Sequence, residues 1–239
     1  MICCPLLEKF ACTNVADSLA LAIHAPNLKH LTLNGFFTNL YLKHTPLLIV
    51  LSIDFFGRAW KSNVLVKVPV TYEYDCLKFI ELQALSFDEM INVLDVLYLI
   101  LRSPNVQELQ IEATSFDDKA ADLDFWENEC PTNFTFKYLE RVKMSGVSTG
   151  NCMELLKCLL GCSPVLKVMS VSPCDNCNGK MKMADEVLHY FVSSQILIVE
   201  EILTQKDEGF AHCGLYKTLI WMYYNITRSL FTSHSQTRE

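Results

Sequence analysis

The chain has 239 residues, of which 51% are apolar and 20% charged, with a formal net charge of −7. That length allows one large domain or two small ones, and that composition supplies a core and excludes a disordered chain. The acidic balance excludes a protein that grips nucleic acid by bulk electrostatics.

From the N-terminus onward one apolar signature recurs, Leu-x-x-Leu-x-Leu with apolar replacements. It first appears as Leu7/Phe10/Cys12. It returns as Leu28/Leu31/Leu33, Leu48/Leu51/Ile53, Leu77/Ile80/Leu82, Val106/Leu109/Ile111, Leu139/Val142/Met144 and Leu166/Met169/Val171. The first positions lie 21, 20, 29, 29, 33 and 27 residues apart. Pro5, Pro26, Pro46, Pro104 and Pro164 each stand two residues ahead of one of them. Such a proline ends the preceding segment and favours an extended start. The last two apolar positions alternate with other residues, the pattern of a short strand with one buried face. One unit is too small to bury that face alone, whereas stacked units bury it by sharing a parallel sheet. The expected fold is α/β: a horseshoe-like leucine-rich-repeat solenoid with a parallel sheet on its concave face and irregular helices on its convex face.

Between the signatures the chain must return. Residues 17–23 read as a short helix, and Gly35 allows a sharp turn. Within the spacer 57–74, residues 64–70 read as an extra strand or extended chain. Ser86 and Glu89 have capping-box spacing. They lead into Met90, Ile91, Val93, Leu94, Leu97, Tyr98 and Leu101, an apolar stripe at helical spacing that Ser103-Pro104 stops. Residues 117–135 are acidic, through Asp117, Asp118, Asp122, Asp124, Glu127 and Glu129, and read as a surface loop or short helix pinned by Phe125 and Trp126. Asn151 and Glu154 repeat the capping spacing before Leu155, Leu156, Leu159 and Leu160, with Gly161 placed to end that helix. After Val171 comes a turn-rich loop, 173–180. A helix is expected over 184–192, and a last strand or helix start at 196–199. The repeat logic stops at about residue 204.

The chemistry is sparse. No nucleophile elbow, phosphate-cradling glycine loop or His-Glu-x-x-His occurs, so no catalytic or cofactor-binding residue is expected and the chain does not read as an enzyme. The six histidines share no motif, and His30 reads as a surface histidine on a strand. Cys174 and Cys177 form a Cys-x-x-Cys. Zinc would need a second pair at set spacing, and Cys158 and Cys162 fall on a helix and its end, so a free-thiol loop is expected and no metal. The carboxylates of 117–129 have no partner base and read as a solvated loop. Eleven scattered cysteines, Cys12, Cys76 and Cys158 in apolar contexts, and no secretory signal point to reduced thiols in a cytoplasmic or nuclear protein. The sequons at Asn133 and Asn225 then read as chance. The most apolar long stretch, 215–231, is broken by Lys217, Asn225 and Arg228, so no membrane span is expected.

With these residues in hand, the chain resembles the plant F-box/FBD/leucine-rich-repeat proteins over roughly residues 4–172. Cys4-Pro5-Leu6-Leu7-Glu8 and Ala25-Pro26-Asn27-Leu28-Lys29 look like that family's repeat openings. More specific are Phe125-Trp126 with Cys130-Pro131, then Leu139-Glu140-Arg141-Val142-Lys143-Met144-Ser145-Gly146. The likeness runs on through Glu154-Leu155-Leu156 and Leu159-Leu160 to Ser163-Pro164-Val165-Leu166-Lys167-Val168-Met169, and resembles the FBD segment that closes such repeats. The division expected is leucine-rich repeats over 1–124, an FBD-like closing module over 125–172, a loop, helix and possible strand over 173–203, and an unassigned tail over 204–239.

The resemblance implies a protein-interaction module, like the target-recognition part of an SCF-type E3 ubiquitin ligase F-box protein. In that family an N-terminal F-box docks the Skp adaptor. This chain begins inside a repeat with no F-box ahead of it, so adaptor binding is not expected of it. The alternative is an F-box-less structural or competitor interaction protein, such as a truncated gene product. Its partner would be a protein, not nucleic acid and not a membrane. On each strand the residues alternating with the core face outward and form the candidate partner-binding surface. They are His30, Thr32, Asn34, Ser52, Asp54, Phe79, Glu81, Gln83, Glu108, Gln110, Glu112, Arg141, Lys143 and Ser145. The set is acidic in the middle, through Glu81, Glu108 and Glu112, and basic at the next repeat, through Arg141 and Lys143.

Overall fold

Every repeat but the one at Leu139 opens with a hydrogen-bonded four-residue turn. The amide of Leu28 donates to the Ala25 carbonyl at 3.0 Å, Leu48 to Thr45 at 3.2 Å, Val106 to Ser103 at 3.1 Å and Leu166 to Ser163 at 3.2 Å. Proline occupies the second turn position, where its fixed φ fits and no donor is lost. It therefore makes the turn as well as ending the segment before it. Leu77 bonds Tyr74 in the same way at 3.1 Å, with Asp75 in the place of proline. Neighbouring turns are tied to each other. Asn27 Nδ2 donates to the Pro5 carbonyl at 2.6 Å, and Asn105 Nδ2 to that of Asp75 at 2.8 Å.

The computed structural model describes residues 1–55, 65–67, 73–87, 90–114, 126, 134–147 and 150–173, all within one unit, Met1–Ile202. Strands leave the turns as β1 (Ile2–Cys3), β2 (Lys9–His24), β3 (His30–His44), β4 (Val50–Asp54), β5 (Leu65–Lys67), β6 (Phe79–Ser86), β7 (Glu108–Thr114), β8 (Arg141–Val147) and β9 (Val168–Pro173). All pair in parallel, in the order β1-β2-β3-β4-β6-β7-β8-β9, with β5 beside β3. The helices are α1 (Met90–Leu101) and α2 (Asn151–Cys162). The class is α/β, a parallel sheet with few helices. Among the described residues no helix is long and apolar enough to cross a membrane.

The apolar signature forms columns across this sheet. Leu31, Leu51, Ile80, Leu109, Val142 and Met169 are hydrogen-bonded neighbours in register, and none is more than 1% exposed. Leu33, Ile53, Leu82, Ile111, Met144 and Val171 form a second buried column. Leu7, Phe10 and Cys12 in the first repeat are only partly buried against the core.

The return segments differ with repeat length. The expected helix over 17–23 is a strand: β2 continues to His24, and its residues Ala20 to Ile23 pair with Asn39 to Leu42 of β3. Leu21 and Ile23 are buried, as are Leu40 and Leu42 opposite, while Ala20, His24 and Lys43 are exposed. Apolar residues alternating at period two specify a ladder, and about twenty residues per repeat leave no room for a helix. The extra strand expected within 64–70 is β5. Two of the four longer returns carry α1 and α2, whose buried faces are Val93, Val96, Leu97, Leu99 and Ile100, and Leu155, Leu156, Leu159 and Leu160. Tyr98, placed in the first stripe by spacing, is instead 42% exposed.

Ser86 is the last residue of β6 and is buried, and its capping-box partner Glu89 lies outside the described residues. Gly150 precedes α2 with no side-chain cap, because the Asn151 amide is engaged elsewhere. It accepts from Trp126 Nε1 at 3.1 Å and donates to the Phe87 carbonyl at 3.2 Å. Trp126 is thereby pinned and buried, as expected. At the other end Ser103 Oγ donates to the Leu99 carbonyl at 2.8 Å and stops α1 with Pro104. Gly161 lies inside α2, which runs one residue further. Cys3, Cys4, Cys12, Cys76, Cys152 and Cys162 are free thiols, but Cys158 is disulfide-bonded, an exception to the reduced-thiol expectation. Phe125, the acidic residues of 117–129, the Cys174/Cys177 loop and the elements expected at 184–192, at 196–199 and beyond 204 lie outside the described residues.

Where the strands leave the shared ladder, the backbone turns left-handed. Asn14 has φ 58°, Gly35 139°, Ala84 54° and Gly146 68°. The pairing register shifts across Asn14, Ala84 and Gly146. Ala84 is costly there, because its Cβ crowds the backbone in this region. Ala84→Gly is expected to stabilise the protein by about 0.5–1 kcal/mol, after the extra freedom of glycine in the unfolded chain is offset. Urea unfolding of the two proteins measures it; a lower midpoint in the glycine variant would refute the strain.

Candidate partner-binding face

A strand with Leu109 and Ile111 turned to the core turns Glu108, Gln110 and Glu112 the other way. The parallel register then lines equivalent residues into rows. Lys9, His30, Val50, Phe79, Glu108, Arg141 and Val168 form the first row, strand by strand from β2 to β9. Ala11, Thr32, Ser52, Glu81, Gln110, Lys143 and Ser170 form the second. The third runs through Asn34, Asp54 and Gln83, and Glu112 pairs with Ser145 further along. All fourteen predicted residues lie on these rows, and each is half-buried or exposed. His30 is one of them, half-buried in the first row.

The rows are cross-linked. Asn34 Nδ2 donates to Asp54 Oδ2 at 2.6 Å, and Ser52 Oγ to Glu81 Oε2 at 2.6 Å. Gln83 Nε2 donates to Glu81 Oε1 at 2.7 Å, and Gln110 Nε2 to Glu108 Oε1 at 2.8 Å. Arg141 places Nε and Nη2 on one oxygen of Glu108, at 2.9 and 2.6 Å. Burial works to raise the Glu108 carboxyl. Hydrogen bonds from Arg141 and Gln110, with the Arg141 charge, outweigh it and hold the group below its usual range. Asp54 goes the other way: burial raises it, the Asn34 amide opposes, and the Glu81 charge raises it further. The charge order read from the sequence thus resolves into one neutralised acid, Glu108, and a region around Asp54 and Glu81 where negative charge accumulates. Sequence spacing alone did not reveal the Ser52–Glu81 and Asn34–Asp54 bonds, which join residues 29 and 20 positions apart.

Among the described residues no group of three or more His, Cys, Asp or Glu is arranged to hold a metal ion. The face offers hydrogen-bonding groups and charge with three apolar contacts, Val50, Phe79 and Val168, in its first row. That chemistry suits recognition of a polar macromolecular surface.

The chain is 31% identical over 233 residues to an F-box/FBD/LRR-repeat protein of Arabidopsis thaliana. The match covers 78% of this chain and 54% of that protein, so the chain spans about half the length of this curated relative. The relative bears out the resemblance seen in the repeat openings and the closing segment. No family model matches the chain, and no solved structure matches it significantly.

Proposed function

The chain is a homologue of the plant F-box/FBD/LRR-repeat proteins, and from that premise we propose that it is a non-catalytic, protein-binding module. Its sheet is the concave wall of a leucine-rich-repeat solenoid, and the polar rows of that wall hold a protein target in the cytoplasm or nucleus. Its role is that of the target-recognition part of an SCF-type E3 ubiquitin ligase F-box protein. The observation that carries this reading is the unbroken register of outward residues over seven strands, from Lys9 to Val168. Nothing in the core fixes the identity of that set, and stacked repeats present such extended surfaces to their partners. The second reading, an interaction protein that competes for a target without serving a ligase, rests on the same face.

Affinity capture with the purified chain, followed by mixing with a purified Skp adaptor, tests both. Gln110→Arg plants a long cation mid-face and should abolish target capture while the thermal melt stays unchanged. A target retained by that variant overturns the face as the binding wall. A stable adaptor complex supports the ligase role; a target held without any adaptor binding supports the competitor.

A further inference from the structure

A cavity of about 210 Å³ opens where β6, β7 and β8 lie side by side, lined by Glu81, Gln83, Gln110, Glu112, Lys143 and Ser145. It is smaller than the roughly 300–1,000 Å³ of small-molecule sites and has the scale of one side chain. Its polar groups are biased to one role. A carboxylate only accepts hydrogen bonds, so an amide that bonds one must present its nitrogen. Gln83 gives its Nε2 to Glu81 and Gln110 gives its Nε2 to Glu108, which leaves both amide oxygens as acceptors. Glu81 takes two donors, from Ser52 and Gln83, and a carboxylate has about four acceptor sites. Glu112 is exposed and makes no hydrogen bond or ion pair among the described residues. Lys143 is the one cation of the lining and already has an interaction of its own.

A lining of acceptors asks for a donor. We propose that this cavity receives an arginine side chain of the protein partner, its guanidinium donating to Glu81 and Glu112 and to the Gln83 and Gln110 oxygens. A guanidinium is planar, always charged and carries five donors in a fixed fork, which matches carboxylates and carbonyls converging on one space. The negative field around Asp54, next to Gln83 in register, is of the sign that this cation relieves. The inference rests on the reading of this face as the partner surface, and names what that surface recognises.

N-acetyl-argininamide is the probe, titrated into the isotope-labelled full chain and followed by amide chemical shifts. The expected result is saturable shifts confined to residues 81–83, 110–112 and 143–145. N-acetyl-citrullinamide, the same shape without the charge, should produce none. Glu112→Gln should weaken the probe by about fivefold, the scale of one exposed ion pair. Glu112 is exposed and has no partner among the described residues, so that variant keeps the fold. Shifts elsewhere, equal binding of the citrulline probe, or unchanged affinity in both Glu112→Gln and Glu81→Gln would overturn the proposal. Probe binding without loss of target capture in Gln110→Arg would leave this site standing and remove the face as the target wall. Lost capture without probe binding would do the reverse.

Discussion

Leu109→Ala destabilises the protein by about 2–5 kcal/mol, while Gln110→Ala beside it changes stability by less than about 0.5 kcal/mol. Leu109 is fully buried. It sits in the middle of its column, paired in register with Ile80 on one side and Val142 on the other. Truncation removes the transfer free energy of the lost methyl groups and leaves a void. The void closes poorly, because the β7 backbone is held by ladders on both edges. Stacked repeats depend on their nearest neighbours, so one void weakens two interfaces. Gln110 points the other way and spends its amide on Glu108, a bond at a half-exposed site that water replaces at little cost. Denaturant melts of the two variants give the answer. Equal losses would mean that β7 is assigned one residue out of register, since a one-residue slip exchanges the two faces of a strand.

The same periodicity decides how much could be read beforehand. The buried columns and the outward rows were legible, because a repeated period-two pattern assigns every strand residue to a face. The repeat starts were legible through their prolines, but the turns that those prolines make were not. Among the return segments β5, α1 and α2 were legible and the return at 17–23 was not. Residues 17–23 carry both a helical spacing and a strand alternation, and the neighbouring repeat decides: Leu40 and Leu42 offer a ladder to Leu21 and Ile23. The Asn151 cap failed for a related reason. Asn151 has the right residue type for a helix cap, but Trp126 and the Phe87 carbonyl claim its side chain. A tertiary partner far away in sequence overrides a local preference. On the candidate face the residues were legible and their couplings were not. The orientation of Gln83 and Gln110 depends on which acid the register brings within reach.

Gly146→Ala should destabilise the protein strongly, and Gly161→Ala should have the opposite sign. A Cβ built on Gly146 falls 2.0 Å from the Ala113 carbonyl oxygen and 3.1 Å from its carbon. Those atoms belong to the backbone of β7, whose Ala113 pairs with Leu85 of β6, so they cannot swing aside as a flexible side chain would. Gly146 also has φ +68°, where an L side chain costs of order 1–3 kcal/mol before any clash. The two costs add, and relief requires β8 to separate from β7 beneath the rows that carry Lys143 and Ser145. Loss of stability should therefore come with loss of the arginine probe's shifts at residues 143–145. Gly161 has nothing within 4 Å of its built Cβ and lies exposed in the last turn of α2. Alanine there should stabilise by up to about 1 kcal/mol through helix propensity. Thermal unfolding of the two variants against the parent reads both signs in one experiment. A Gly146→Ala protein as stable as the parent would mean that β8 does not leave the sheet by the left-handed step that the register shift between Met144 and Val147 requires.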